Sequence, residues 1–176
     1  MLYVLSALLR GVSTLPVVYI YRKYFYKKED KKEERNVYAN IFAVKSFTES
    51  LEALDNKRLG KQRVEAMQIL KALHIPDYGW RNHPCVKMWN GYDQALCDYM
   101  NKAIIEWKKR GFNNTMMLER VPLDYERPIW LGNNKFHQSH QSNLLRKDKE
   151  FYSKYNWNVT DDIPYYWCGF GKGEND

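Results

Sequence analysis

Leu54-Asp55-Asn56-Lys57-Arg58-Leu59-Gly60-Lys61-Gln62-Arg63-Val64-Glu65-Ala66 decides how this chain is read. Leu59, Ala66, Leu70 and Leu73 recur at helical spacing, so a helix is predicted from about Asp55 to Leu73. At about 100° per residue, Arg58, Lys61, Gln62 and Glu65 fall together on another face. A carboxylate held among cations stays ionised near neutral pH, and the same cations attract a polyanion such as nucleic acid. On that reading Lys57, Arg58, Lys61 and Arg63 bind phosphate, while Glu65 carries chemistry. The plainer reading is a solvated helix face with spaced ion pairs such as Lys61 with Glu65, each contributing about a few tenths of a kcal/mol.

Outward from this segment the pattern stays helical. Ser46 or Thr48 is placed to cap a short helix through Leu51 and Leu54. The Pro76-Asp77-Tyr78-Gly79 sequence marks a turn. A longer helix is predicted from near Pro84, with Trp89, Tyr92, Leu96, Tyr99, Ala103 and Trp107 as its core side. Lys108, Lys109 and Arg110 fill its last turn and Gly111 stops it. Pro122, Pro128 and Gly132 break the next stretch, and one or two shorter helices are expected between His137 and Tyr155. The fold class is mainly α, a compact single helical domain over residues 37–176.

An aromatic content of 15% over 176 residues supplies bulk for a real core. The formal charge is +7, but eight Lys/Arg against four Asp/Glu precede residue 37, leaving 20 against 17 for the rest. The cations of the domain therefore matter by clustering. Cys85, Cys97 and Cys168 are an odd number without close pairing, which points to a reducing, intracellular compartment. His137 and His140 sit three apart with Cys168 later, but no Cys-x-x-Cys or His-Glu-x-x-His completes a zinc set, so neither metal nor cofactor is expected. A monomer is expected.

The first 36 residues differ in character. Residues 1–21 are mostly apolar, interrupted by Arg10, Gly11 and Pro16 and followed by Arg22, Lys23, Lys27 and Lys28. They have the length of a membrane anchor with cytoplasmic cations, or the composition of an organelle presequence. Between Lys27 and Arg35 the chain reads as a charged linker.

Three further constellations are candidates for function. Trp80-Arg81-Asn82-His83-Pro84 sets Arg81 and His83 at a helix entrance that favours an anion, although Asn82 or His83 also suits an N-cap and Pro84 a first turn. His137-Gln138-Ser139-His140-Gln141-Ser142-Asn143-Leu144-Leu145-Arg146-Lys147-Asp148 is dense in donors that suit a phosphate backbone, with His140, Arg146 and Lys147 as DNA-binding candidates. Capping and internal hydrogen bonds are the competing use. The rings of Pro164-Tyr165-Tyr166-Trp167 stack on bases or dock on the domain's own core, and docking is expected for at least one.

Taken together, LDNKRLGKQRVEAMQIL, GWRNHP followed by MW-x-GY, EWKKRGF, HQSHQSNLLRKD and PYYW resemble the pyrimidine dimer DNA glycosylase family, which includes the phage endonuclease V. The likeness is strongest to the branch of short proteins sharing RLGKQRVE and SNLLRKD, and it runs from about Tyr38 to Trp167. It implies a helical domain that flips a nucleotide in damaged duplex DNA, attacks the sugar C1′ with an amine and cleaves the strand through an imine. It also puts the family's catalytic glutamate on Glu65 and its DNA-contacting cations near Arg58 and Lys61. The family's nucleophile is the α-amine just after the initiator methionine, whereas the matching position here, near Ala39 or Asn40, is internal. Removal of the extension, a lysine such as Lys61 or Lys57, or different chemistry in this branch would each meet that departure. A non-catalytic nucleic-acid-binding module and a membrane-tethered protein are the alternatives from other classes.

Overall fold

Side-chain caps set the beginning of most helices in this chain. A computed structural model describes residues 41–168. The proposed anchor or presequence over residues 1–21 and its linker lie outside the described residues. Ser46 accepts from the Glu49 N–H and opens α1 (Phe47–Glu52), and Asp55 accepts from the Arg58 N–H and opens α2 (Asn56–His74). His83 accepts from the Cys85 N–H ahead of α3 (Pro84–Met88), where Pro84 occupies the first turn. Next come α4 (Asp93–Lys109), α5 (Asn134–Lys147), opened by Asn133, and α6 (Lys149–Tyr152), opened by Asp148, with a 3₁₀ turn over Ser153–Tyr155. No strand occurs among the described residues.

The long helix expected from Pro84 is broken into α3 and α4. Gly91 takes a left-handed conformation (φ 79°), so the chain turns between Trp89 and Tyr92 before helix resumes. Both halves keep their apolar faces inward, which is why the spacing looks continuous in sequence. At the other end of α4 the expected stop holds, with Gly111 at φ 86°.

Helix α2 lies along α4, with α1 also against α4. Close approach is possible because Gly60 has no side chain, and a Cβ there would meet the Trp107 ring at 3.0 Å. Between the helices sits an aromatic core built on Phe42, with Trp89, Tyr99, Trp130 and Phe136 around it. Among the described residues no helix is long and apolar enough to cross a membrane.

The start of α2 is fixed by more than a cap. Asp55 also accepts from the Tyr152 hydroxyl and pairs with the Arg58 guanidinium at 2.5 Å, joining α2 to α6. Burial opposes the charged carboxyl, but the hydrogen bonds from Tyr152 and Arg58 prevail and hold it below the usual range. Asp55→Ala removes the cap and leaves the buried Tyr152 O–H without its acceptor, though the hydroxyl still accepts from the residue-55 N–H, an expected loss of about 2 kcal/mol in denaturant unfolding. A change within error would show that the junction contributes nothing.

Candidate active site

The polar stripe of α2 is largely withdrawn from solvent. Glu65 is only 8% exposed and Gln62 is fully buried. Gln62 Nε2 donates to Glu65 Oε2 at 3.1 Å. Its Oε1 accepts from the Ile41 N–H at 2.9 Å and from the Tyr99 hydroxyl at 2.8 Å. An amide side chain is therefore the bridge from the entering chain to the carboxylate. Tyr99 is held protonated well above its ordinary value, by burial first and by the Glu65 charge second.

Residues 41–43, the segment that reaches this bridge, are clamped by α5. The Phe42 N–H donates to His140 Nδ1 at 3.3 Å, and the Phe42 carbonyl lies 2.9 Å from His137 Nδ1. His137 Nε2 accepts from the Gly132 N–H, so its Nδ1 carries the proton and donates to Phe42. Gln141 Nε2 donates to the Ala43 carbonyl at 2.7 Å. The donor-rich sequence of α5 is thus mostly used to hold the chain entry in place.

His140 consequently departs from its expected role. It is fully buried, with Tyr165 and Trp167 edge-on to its ring, and it has no surface to offer DNA. Burial, with the nearby charges of His137 and Lys147, pushes it down to about 3, so it stays neutral in the fold. An unfolded histidine takes up a proton near pH 6.5. The stability from this neutral site is complete above that value and is lost as pH falls towards about 3. The denaturation midpoint is expected to fall between pH 7 and pH 4, and His140→Gln should flatten that fall. An unchanged pH dependence in the variant would contradict the assignment.

The cations separate into three uses. Arg58 is bound to Asp55, lies 3.9 Å from Asp148 Oδ2 and covers the Tyr152 ring, so it knits α2 to the end of α5. Arg63 donates to Asn114 Oδ1 and lies over the Trp107 ring, which fixes the loop after α4. Arg146 is exposed, but its guanidinium donates to the Asp161 and Ile163 carbonyls and ties down the C-terminal segment. Lys57 and Arg81 are exposed, on the first turn of α2 and in the turn before α3. His83 is half-buried, serves as the α3 cap and touches Trp167 edge-on.

Lys61 is half-buried on α2, and Lys147 is half-buried at the last position of α5. The Lys147 amine is pushed down to about 8, by burial first, with Arg58, Lys61 and Arg146 adding repulsion and Glu65 opposing them. Two helices distant in sequence therefore share one electrostatic site. Tyr165, which donates to Asn143 Oδ1, borders it and is raised to about 12 by burial, with Arg146 opposing and Glu65 adding to the shift. The docked rings of the tail are Tyr165 and Trp167, while Tyr166 stays 41% exposed.

Sequence reading did not assign Gln62, Tyr99, His137 or Tyr165 to this site. Gln62 was visible, three residues before Glu65 on the same face. The others depend on contacts between distant segments. Among the described residues no three His, Cys, Asp or Glu side chains form a group suited to a metal ion.

In comparison with known proteins, residues 40–120 match the family model described as pyrimidine dimer DNA glycosylase. No curated protein and no solved structure matches. The matched stretch contains α1 to α4 and therefore Glu65, Gln62 and the chain entry; α5 lies beyond it. Over residues 40–120, this chain is similar to the pyrimidine dimer DNA glycosylase family.

Proposed function

We propose that the protein removes damaged pyrimidines from duplex DNA through an amine nucleophile and an imine, and then cleaves the abasic strand, with Glu65 assisting. The observation that carries this reading is the Glu65–Gln62–Ile41 bridge. It sets a sheltered carboxylate beside the chain entry, one residue after the family match begins, with cations from α2 and α5 around it.

Each part has a chemical use. A carboxylate next to a cationic imine stabilises the developing positive charge and relays protons at C1′ and C2′. Lys61, Lys147 and the exposed Lys57 supply positive potential for the phosphates on either side of an extruded nucleotide. Gln62 fixes the Glu65 carboxylate from one side.

The test is incision of a duplex carrying one pyrimidine dimer at a defined position, set against the undamaged duplex. Breaks at the dimer alone support the reading. Salt-sensitive binding to both duplexes without breaks would instead support a non-catalytic nucleic-acid-binding module.

A further inference from the structure

We propose that the Trp167 ring holds the place of a damaged pyrimidine, and that the His140 Nε2–H beside it donates to a ring carbonyl of that base once the indole withdraws. This inference rests on the damaged-pyrimidine reading above and names the group that recognises the base at the same site.

His140 is fully buried, and its Nε2 has no hydrogen-bond partner. Its Nδ1 accepts from the Phe42 N–H, so the neutral ring carries its proton on Nε2. A buried donor without an acceptor is costly, and folded proteins leave few of them. The neighbours of this one are rings: Trp167 at 5.7 Å between centroids and 86° between planes, and Tyr165 at 5.3 Å. An indole has no acceptor to offer. A second imidazole meets the same indole, His83 at 6.0 Å and 80°. It too accepts a backbone N–H at Nδ1, from Cys85, which leaves its proton on Nε2. Two N–H donors from distant segments therefore meet one flat ring. A pyrimidine is also flat, and it carries carbonyls at C2 and C4, the feature that the indole lacks.

The tail is built so that the indole can leave while its support stays. Ile163 donates to Ser142 Oγ and accepts from Arg146, and the Tyr165 hydroxyl donates to Asn143 Oδ1. Trp167, two residues on, makes no hydrogen bond among the described residues and stacks on Tyr165 at 5.5 Å and 22°. An incoming base would take over that stacking on Tyr165. The site also adjoins the carboxylate. Ile41 and Phe42 are consecutive; the first N–H goes to Gln62, which holds Glu65, and the second goes to His140. The base-recognising donor and the assisting carboxylate thus lie one peptide unit apart along the chain entry.

The experiment is fluorescence anisotropy of the full chain, in the cold, on three duplexes of one sequence: undamaged, with one pyrimidine dimer, and with an abasic site in the dimer's place. Trp167→Ala should tighten binding of the dimer duplex about tenfold, the equivalent of one net hydrogen bond, and leave the other two unchanged. Adding His140→Asn, whose side-chain oxygen takes the place of Nδ1 toward the Phe42 N–H but which has no Nε2–H, should abolish that gain. No gain in Trp167→Ala, an equal gain on all three duplexes, or a gain that survives His140→Asn overturns the assignment. Should the double variant fail to fold, the Trp167→Ala comparison decides alone. Incision at the dimer by the wild-type chain is scored alongside. Incision without the gain leaves the glycosylase reading standing and removes this inference, and the gain without incision does the reverse.

Discussion

Glu65→Gln is expected to lower incision at a pyrimidine dimer or abasic site by about 10²–10⁴-fold, the range that a positioned acid–base group contributes. Duplex affinity should be unchanged, because the cations remain. The substitution is nearly isosteric, and its amide oxygen still accepts from Gln62 Nε2, so the α2 bridge survives. Folding is therefore not the expected cause of the loss, and an unchanged unfolding midpoint would establish that. Incision at the wild-type rate would remove Glu65 from the mechanism. A binding module without chemistry would show no difference between the two chains in either assay.

Phe42→Ala should produce the largest change in stability, about 3–5 kcal/mol by the measure of buried aromatic truncations. Phe42 is completely buried and lies 4.8 to 6.3 Å, centroid to centroid, from Phe47, Trp89, Tyr99, Trp130, Phe136 and His140. Its ring joins α1, α4, α5 and the turn just after α3 around one point, and no single neighbour can fill the void. A domain stable by about 5–15 kcal/mol would lose a large share of that margin. The same residue's peptide group is clamped by His137 and His140, so the chain entry at Gln62 should loosen with the core. A denaturant midpoint shift equivalent to under about 1 kcal/mol would mean that the cavity collapses and that this cluster does not organise the fold.

The fold was legible where local chemistry decided it. Asp55 and Ser46 announce their helices as caps, Gly111 announces a stop, and the spacing of Leu59, Ala66 and Leu70 gives the buried side of α2. The break between α3 and α4 was hidden, because Trp89, Tyr92 and Leu96 remain in helical phase across a turn that depends on one positive φ at Gly91. Glu65 stood out from its helical face, but its burial did not, since that depends on Ile41 and Tyr99 arriving from elsewhere to engage Gln62.

The α5 segment shows the other limit of sequence reading. His137, His140 and Gln141 have the composition of a nucleic-acid surface, yet their partners are the backbone groups of residues 42 and 43, about 95 positions away. Donor density cannot distinguish a phosphate from a peptide group. Lys147 was legible as a cation, whereas its half-burial required the packing of the α5 terminus on α2.

Borohydride trapping on a duplex containing an abasic site reports the imine itself, since only imine chemistry leaves a covalent protein–DNA adduct after reduction. The expected result is an adduct that depends on borohydride and is lost in Glu65→Gln. Tight binding to the same duplex with no adduct under any reducing condition would contradict it.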